Sequence, residues 1–144
     1  MSTLSRFLKQ NKVVRQNEKH VATATLTDEK GNPLEWEFKH ISSKENEKLR
    51  DDCTADVPVT GKPGMYRQKF KTREYLAKMV AASVAVPDLY NAELQDSYGV
   101  KTPTDLLYAL VDSPGEYQEL CAWVQKFQGF TETLEDKAEE AKNS

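Results

Sequence analysis

The sequence predicts an α+β fold, mostly α-helical, with an N-terminal β-hairpin packed on a small bundle of short helices and a polar C-terminal tail. Three observations predict it. Residues 20–41, HVATATLTDEKGNPLEWEFKHI, alternate in polarity on both sides of a turn-rich centre. From residue 42 onward, apolar residues recur at helical spacing in segments opened by Ser, Thr or Asn and closed by Gly or Pro. The last stretch, TETLEDKAEEAKNS, has almost no large apolar residue and cannot bury a core face, so a frayed or disordered tail is expected.

The first element, TLSRFLKQ at 3–10, spaces Leu4, Phe7 and Leu8 as one stripe of a short amphipathic helix that needs something to pack on. The hairpin follows, with strands near 20–26 and 34–41 around Asp28, Gly31, Asn32 and Pro33. A register pairing His20 with His40 sets Ala22 opposite Phe38, Ala24 opposite Trp36 and Leu26 opposite Leu34. Small residues then face large ones on one side, while Thr23, Thr25, Glu35, Glu37 and Lys39 make a wet face. The apolar side must be covered, because an isolated hairpin is marginal in water.

Ser42 and Glu45 form a capping-box pattern ahead of a helix running to Cys53. Pro58, Gly61, Pro63 and Gly64 break the chain after it, and the segment up to Lys71 reads as a mobile connector. Thr72 then caps a helix over 73–86 with a buried stripe of Tyr75, Leu76, Met79, Val80, Ser83 and Val84, ended by Pro87. NAELQDSYG is a short helix stopped by Gly99 at C′. Thr102 with Pro103, and Ser113 with Pro114 and Glu116, open the last two helices. The final one carries Tyr117, Leu120, Cys121, Val124 and Phe127, with Trp123 beside them, and stops at Gly129.

At 144 residues the chain suits one domain, placed at 1–130 with the tail at 131–144. A net charge of −3 argues against bulk affinity for a polyanion. The N-terminus lacks a signal-like apolar stretch, and MVAASVAV is too short to span a bilayer, so a cytoplasmic protein without membrane contact is expected. Cys53 and Cys121 read as free, partly buried thiols.

No grouping of nucleophile, base or metal ligands supports an enzyme, and no cofactor is expected. His20 and His40, side by side in the expected register, read as a solvated cross-strand pair. With Cys53 and Cys121 they lack the short spacing of a zinc site, so no metal is expected. The stretch VTGKPGMYRQKFKTREY holds five basic residues, Lys62, Arg67, Lys69, Lys71 and Arg73, and no acidic one between Lys62 and Arg73. TGKPG departs from a phosphate loop, because Pro63 follows the lysine where Ser or Thr and a helix should stand. With Tyr66 and Phe70 interleaved, the stretch makes a small nucleic-acid-binding adaptor the alternative reading. A solvated basic loop, or one that docks an acidic protein surface, is favoured over it.

Three segments, DEKGNPLEWEFKHISSKENEKLRDDCT, YLAKMVAASVAVPDLYNAELQDSYGV and DLLYALVDSPGEYQEL, resemble in order and spacing the XkdN-like tail assembly chaperones of long-tailed phages and prophages of Gram-positive bacteria. STLSRFLKQN fits as well, so the resemblance covers roughly residues 1–130. It implies a non-catalytic protein that binds the helical tape measure protein and keeps it soluble and extended until the tail tube polymerises around it. It also implies a longer form, made by programmed frameshifting, that recruits the tube protein, and absence from the mature virion. A repeated client favours self-association into a ring or spiral. The candidate partner-binding residues are Leu4, Phe7 and Leu8 near the N-terminus and Trp123, Phe127 and Phe130 at the end of the last helix. The basic residues 62–73 are candidates for docking.

Overall fold

In the computed structural model, residues 3–132 are described. Two short 3-10 turns, Thr3–Phe7 and Lys9–Asn11, lead into β1 (Glu18–His20), β2 (Trp36–Phe38), α1 (Ser43–Asp52), β3 (Thr54–Pro58) and β4 (Tyr66–Phe70). Then come α2 (Thr72–Ser83), β5 (Val84–Val86), α3 (Ala92–Ser97), α4 (Pro103–Leu110) and α5 (Pro114–Phe127). The fold is α+β: an antiparallel sheet in the order β1-β2-β5, a separate β3-β4 hairpin, and five helices.

The core gathers around α2. Met79 and Val80 on α2, Leu106 and Leu107 on α4, Leu120 and Val124 on α5, and Trp36 and Phe38 on β2 are all at most 2% exposed. Ala77 and Ala81 are buried on α2 as well, and their small side chains let neighbouring elements come close. Sequence signals set most helix boundaries. Ser42 and Glu45 form both halves of the capping box. Asn91 caps α3, and Thr102 caps α4 ahead of Pro103. Gly99 and Gly129 adopt φ of 68° and 95°. At each, the C′ and C″ amides return to carbonyls of the last turn, the Schellman arrangement that glycine permits at lowest cost.

Five expectations are corrected. The hairpin register holds only at the turn, where the Leu34 amide donates to the Leu26 carbonyl and Thr27 bridges Pro33. Beyond it, Glu18 pairs with Phe38 and His20 with Trp36, so residues 21–25 bulge out against a single residue on the other strand. The bulge is anchored from afar. The Glu116 carboxylate accepts the Ala24 amide and the Thr23 hydroxyl, each at 2.8 Å. Ala22 and Thr23 go inward as a result, so Thr23 is buried and not on a wet face.

The connector over 59–71 is largely a second hairpin, with Thr54 opposite Phe70 and Pro58 opposite Tyr66. Gly61 and Gly64, at φ of 76° and 79°, turn the chain between its strands. The α2 helix stops at Ser83, because Val84–Val86 leaves it to pair with β2. Its N-cap is Lys71 rather than Thr72. Finally, the N-terminal segment forms two 3-10 turns instead of a short amphipathic α-helix, and it buries no residue in this fold. The C-terminal tail from 133 onward lies outside the described residues.

Candidate functional site

The N-terminal arm stands away from the core. Leu4 is 72% exposed, Phe7 79%, Leu8 44%, Val13 86% and Val14 75%. A cluster of exposed apolar side chains on one short segment is a candidate interaction surface, whereas single exposed ones are ordinary. The arm's root is fastened. The His40 ring nitrogen Nε2 lies 3.1 Å from the Gln16 carbonyl, and the Asn17 amide group donates to Glu37 at 3.3 Å.

Behind that root runs an aromatic stack. His20 lies flat on Trp123 with centroids 4.1 Å apart, Trp123 on Phe127 at 5.1 Å, and Phe127 on His40 at 4.0 Å. Phe38 meets Trp123 edge-on at 5.0 Å. The register shift produces this order: with His20 opposite Trp36, the two histidines sit at opposite ends of the Trp123–Phe127 pair. The expected cross-strand histidine pair is therefore absent. Burial lowers the His20 pKa and favours the neutral ring that stacks here. Cys53 and Cys121 are buried at separate places in the core, and among the described residues no group of three or more His, Cys, Asp or Glu is arranged to hold a metal.

Where α5 ends, a groove of about 270 Å³ opens between the arm and α1, lined by Arg15, Ile41, Asn46, Gln128 and Phe130 among others. Phe130 is 40% exposed at this groove. Gln128 closes its floor. Its carbonyl accepts the Ile41 amide at 3.1 Å, and its amide group donates to the Lys39 carbonyl at 3.0 Å and the Ser83 hydroxyl at 2.8 Å.

The structure thus brings Arg15 and Phe130 to one groove, leaves Leu4, Phe7 and Leu8 open, and engages Trp123 and Phe127 with the chain's own histidines. The basic residues stand elsewhere. Arg67 and Lys69 alternate with Tyr66 and Gln68 along β4, Lys62 lies in the turn, and Lys71 reaches Glu74 at 3.9 Å. Phe70, which base stacking would need, packs on Tyr75 under the Arg50 guanidinium, 4.5 Å from its ring centroid. Sequence reasoning missed Val13 and Val14, which lack periodic partners, and missed Gln128 and Glu116 as anchors.

By class this chain is a phage tail assembly chaperone: residues 4–142 match the family model described as phage XkdN-like tail assembly chaperone protein, and the chain belongs to that family. It is 24% identical over 140 residues to the phage-like element PBSX protein XkdN of Bacillus subtilis strain 168, covering 97% of this chain and 93% of that one. It is also 24% identical over 118 residues to the uncharacterized protein YqbN of the same organism, covering 82% of this chain and 78% of the relative. A crystal structure of the protein YqbN superposes with a TM-score of 0.73 at 17% identity, covering 90% of this chain and 98% of that one, a likeness of fold. The family is one of tail assembly chaperones. No helix among the described residues is long and apolar enough to cross a membrane.

Proposed function

We propose that this chain binds the tape measure protein of its phage and keeps it soluble and extended until the tail tube polymerises around it. The observation that carries the reading is the arm: five apolar residues, Leu4, Phe7, Leu8, Val13 and Val14, are held in solvent on a segment fastened at its root. A long helical client offers apolar stripes, and short apolar anchors meeting such stripes are a recurring mode of recognition. Phe130, open beside the same root, extends the surface. Trp123 and Phe127 support it from behind.

Residues 1–130 act as the binding domain, and the polar tail from 131 is where a longer, frameshifted form would add the part that recruits the tube protein. Many copies line one client and self-associate as a ring or spiral. Lys62, Arg67 and Lys69 on the second hairpin guide acidic protein surfaces, because charge complementarity sets on-rate and register. The protein works in the host cytoplasm and is absent from the finished virion.

Co-expression with the tape measure protein, followed by size-exclusion chromatography with light scattering, tests the reading. A soluble complex, from a client that is insoluble alone, supports it and gives the copy number. A client that precipitates while this chain elutes alone counts against it.

A further inference from the structure

The arm carries a second pattern. Between Thr3 and Asn17 there are four basic residues and no acidic one, and the four recur at every third position: Arg6, Lys9, Lys12 and Arg15. A 3-10 helix and a polyproline II segment both have three residues per turn, so positions three apart share a side in either conformation. The arm alternates between these two. Its turns are 3-10, and Leu8 and Lys12, at φ/ψ of −62°/147° and −80°/131°, are near polyproline II. The two helices wind in opposite senses, so the repeat alone does not align all four cations; Lys9, Lys12 and Arg15 nevertheless come together with Val13 and Val14 along one groove. None of the four forms an ion pair with a described residue; the ion pairs among those residues both converge on Glu74.

Lys9, Lys12 and Arg15 line a groove of about 370 Å³ that runs past His40. Arg15 also lines the groove at the end of α5, where Phe130 stands two residues before the last described one. Through Arg15 the basic groove thus adjoins the place where the described residues end. The C-terminal segment has the opposite sign: residues 131–144 hold five acidic and two basic residues. The five acids are Glu132, Glu135, Asp136, Glu139 and Glu140.

We propose that the acidic C-terminal segment of the same chain binds the basic groove of the arm lined by Lys9, Lys12 and Arg15, forming an intramolecular clasp among the arm's exposed apolar residues. Three arguments favour this occupant. The charges are complementary. The two segments share a groove at their roots, which raises the effective concentration of one for the other far above that of a second molecule. The twelve residues from 133 can reach up to about 40 Å, enough to follow the arm from Arg15 to Arg6, which spans roughly 20–30 Å at 3-10 to polyproline II rises. The basic second hairpin competes for the same charge, but its cations do not line the shared groove. The clasp rests on charge and position alone and stands whether or not the arm's client is the tape measure protein.

A nitroxide on Ser144→Cys in the full-length chain tests the clasp by its broadening of backbone amide signals. Cys53 and Cys121 are buried and leave the introduced thiol as the accessible one. The expected result is selective loss of the signals of residues 6–15 at about 0.01 M salt, and their recovery at about 1 M, where the screening length falls from ~30 Å to ~3 Å. Reversing four acids (E135K, D136K, E139K, E140K) should abolish the effect, and adding R6E, K9E, K12E and R15E should restore it. Three results would overturn the proposal: no broadening of the arm, broadening of residues 61–69 instead, or broadening only when an isotope-labelled chain is mixed with a separate nitroxide-labelled one. The last would assign the segment to a second copy.

Discussion

Gln128→Ala removes three hydrogen bonds that tie the end of α5 to the chain after β2 and to the end of α2. The Ile41 amide, the Lys39 carbonyl and the Ser83 hydroxyl all lose their partner together. Ser83 is fully buried and gives its own proton to the Met79 carbonyl at 2.8 Å, so toward Gln128 its oxygen acts as the acceptor and loses that donor on truncation. Each such bond contributes about 1 kcal/mol net, and groups left under a half-buried side chain regain only part of it from water. The substitution should therefore cost about 2–4 kcal/mol, or roughly 5–10 °C in Tm for a chain of this size. Urea unfolding followed by tryptophan fluorescence reads it, since Trp36 is 2% exposed and responds to loss of the core. Gln128→Glu keeps the acceptor for Ile41 but sets a carboxylate oxygen against the Lys39 carbonyl, so it should not rescue stability. A Gln128→Ala protein within about 0.5 kcal/mol of wild type, the range of ordinary surface changes, would refute this account of how the groove floor is held.

Other expectations follow from the same contacts. Met79→Ala, at a fully buried site on α2, should cost about 2–5 kcal/mol in the same urea experiment. Leu4→Ser with Phe7→Ser should leave the urea midpoint within about 0.5 kcal/mol of wild type, because both side chains are exposed, yet sharply reduce recovery of soluble client. Glu116 links stability to pH. The Ala24 amide and then the Thr23 hydroxyl hold its carboxyl below the ordinary range, so the folded protein binds its proton less readily than the unfolded one. That contribution is present above the unfolded value of about 4.3 and is lost as pH falls through the lower folded value. In Tm measured against pH, Glu116→Gln should accordingly lose less on the acid side than wild type does; curves of equal slope would contradict it.

Local signals in this sequence carried the helices, and distant contacts carried what was missed. Ser42 with Glu45, Asn91, Thr102 with Pro103, and the glycines at 99 and 129 act within one turn of where they stand, so their roles were legible. The register of the first hairpin was not, because its bulge is fixed by a carboxylate 93 residues away from Thr23. Val84–Val86 continued a helical period and became a strand only because β2 offered an open edge. The β3-β4 hairpin carries no strong apolar face, with β4 mostly exposed, so its alternation was hidden behind its charge. At the candidate site, the Leu4, Phe7 and Leu8 stripe was visible by spacing. That the histidines would bracket Trp123 and Phe127 followed from the register alone and could not be read without it.

The central claim is that the arm touches the client. It is tested most directly by photocrosslinking with benzoylphenylalanine in place of Phe7, in cells that also express the tape measure protein. The same group in place of Tyr90, which is 75% exposed on the segment between β5 and α3, serves as the comparison. The account predicts a crosslink to the tape measure protein from position 7 and little or none from position 90. A client crosslink from position 90 with none from position 7 would contradict it.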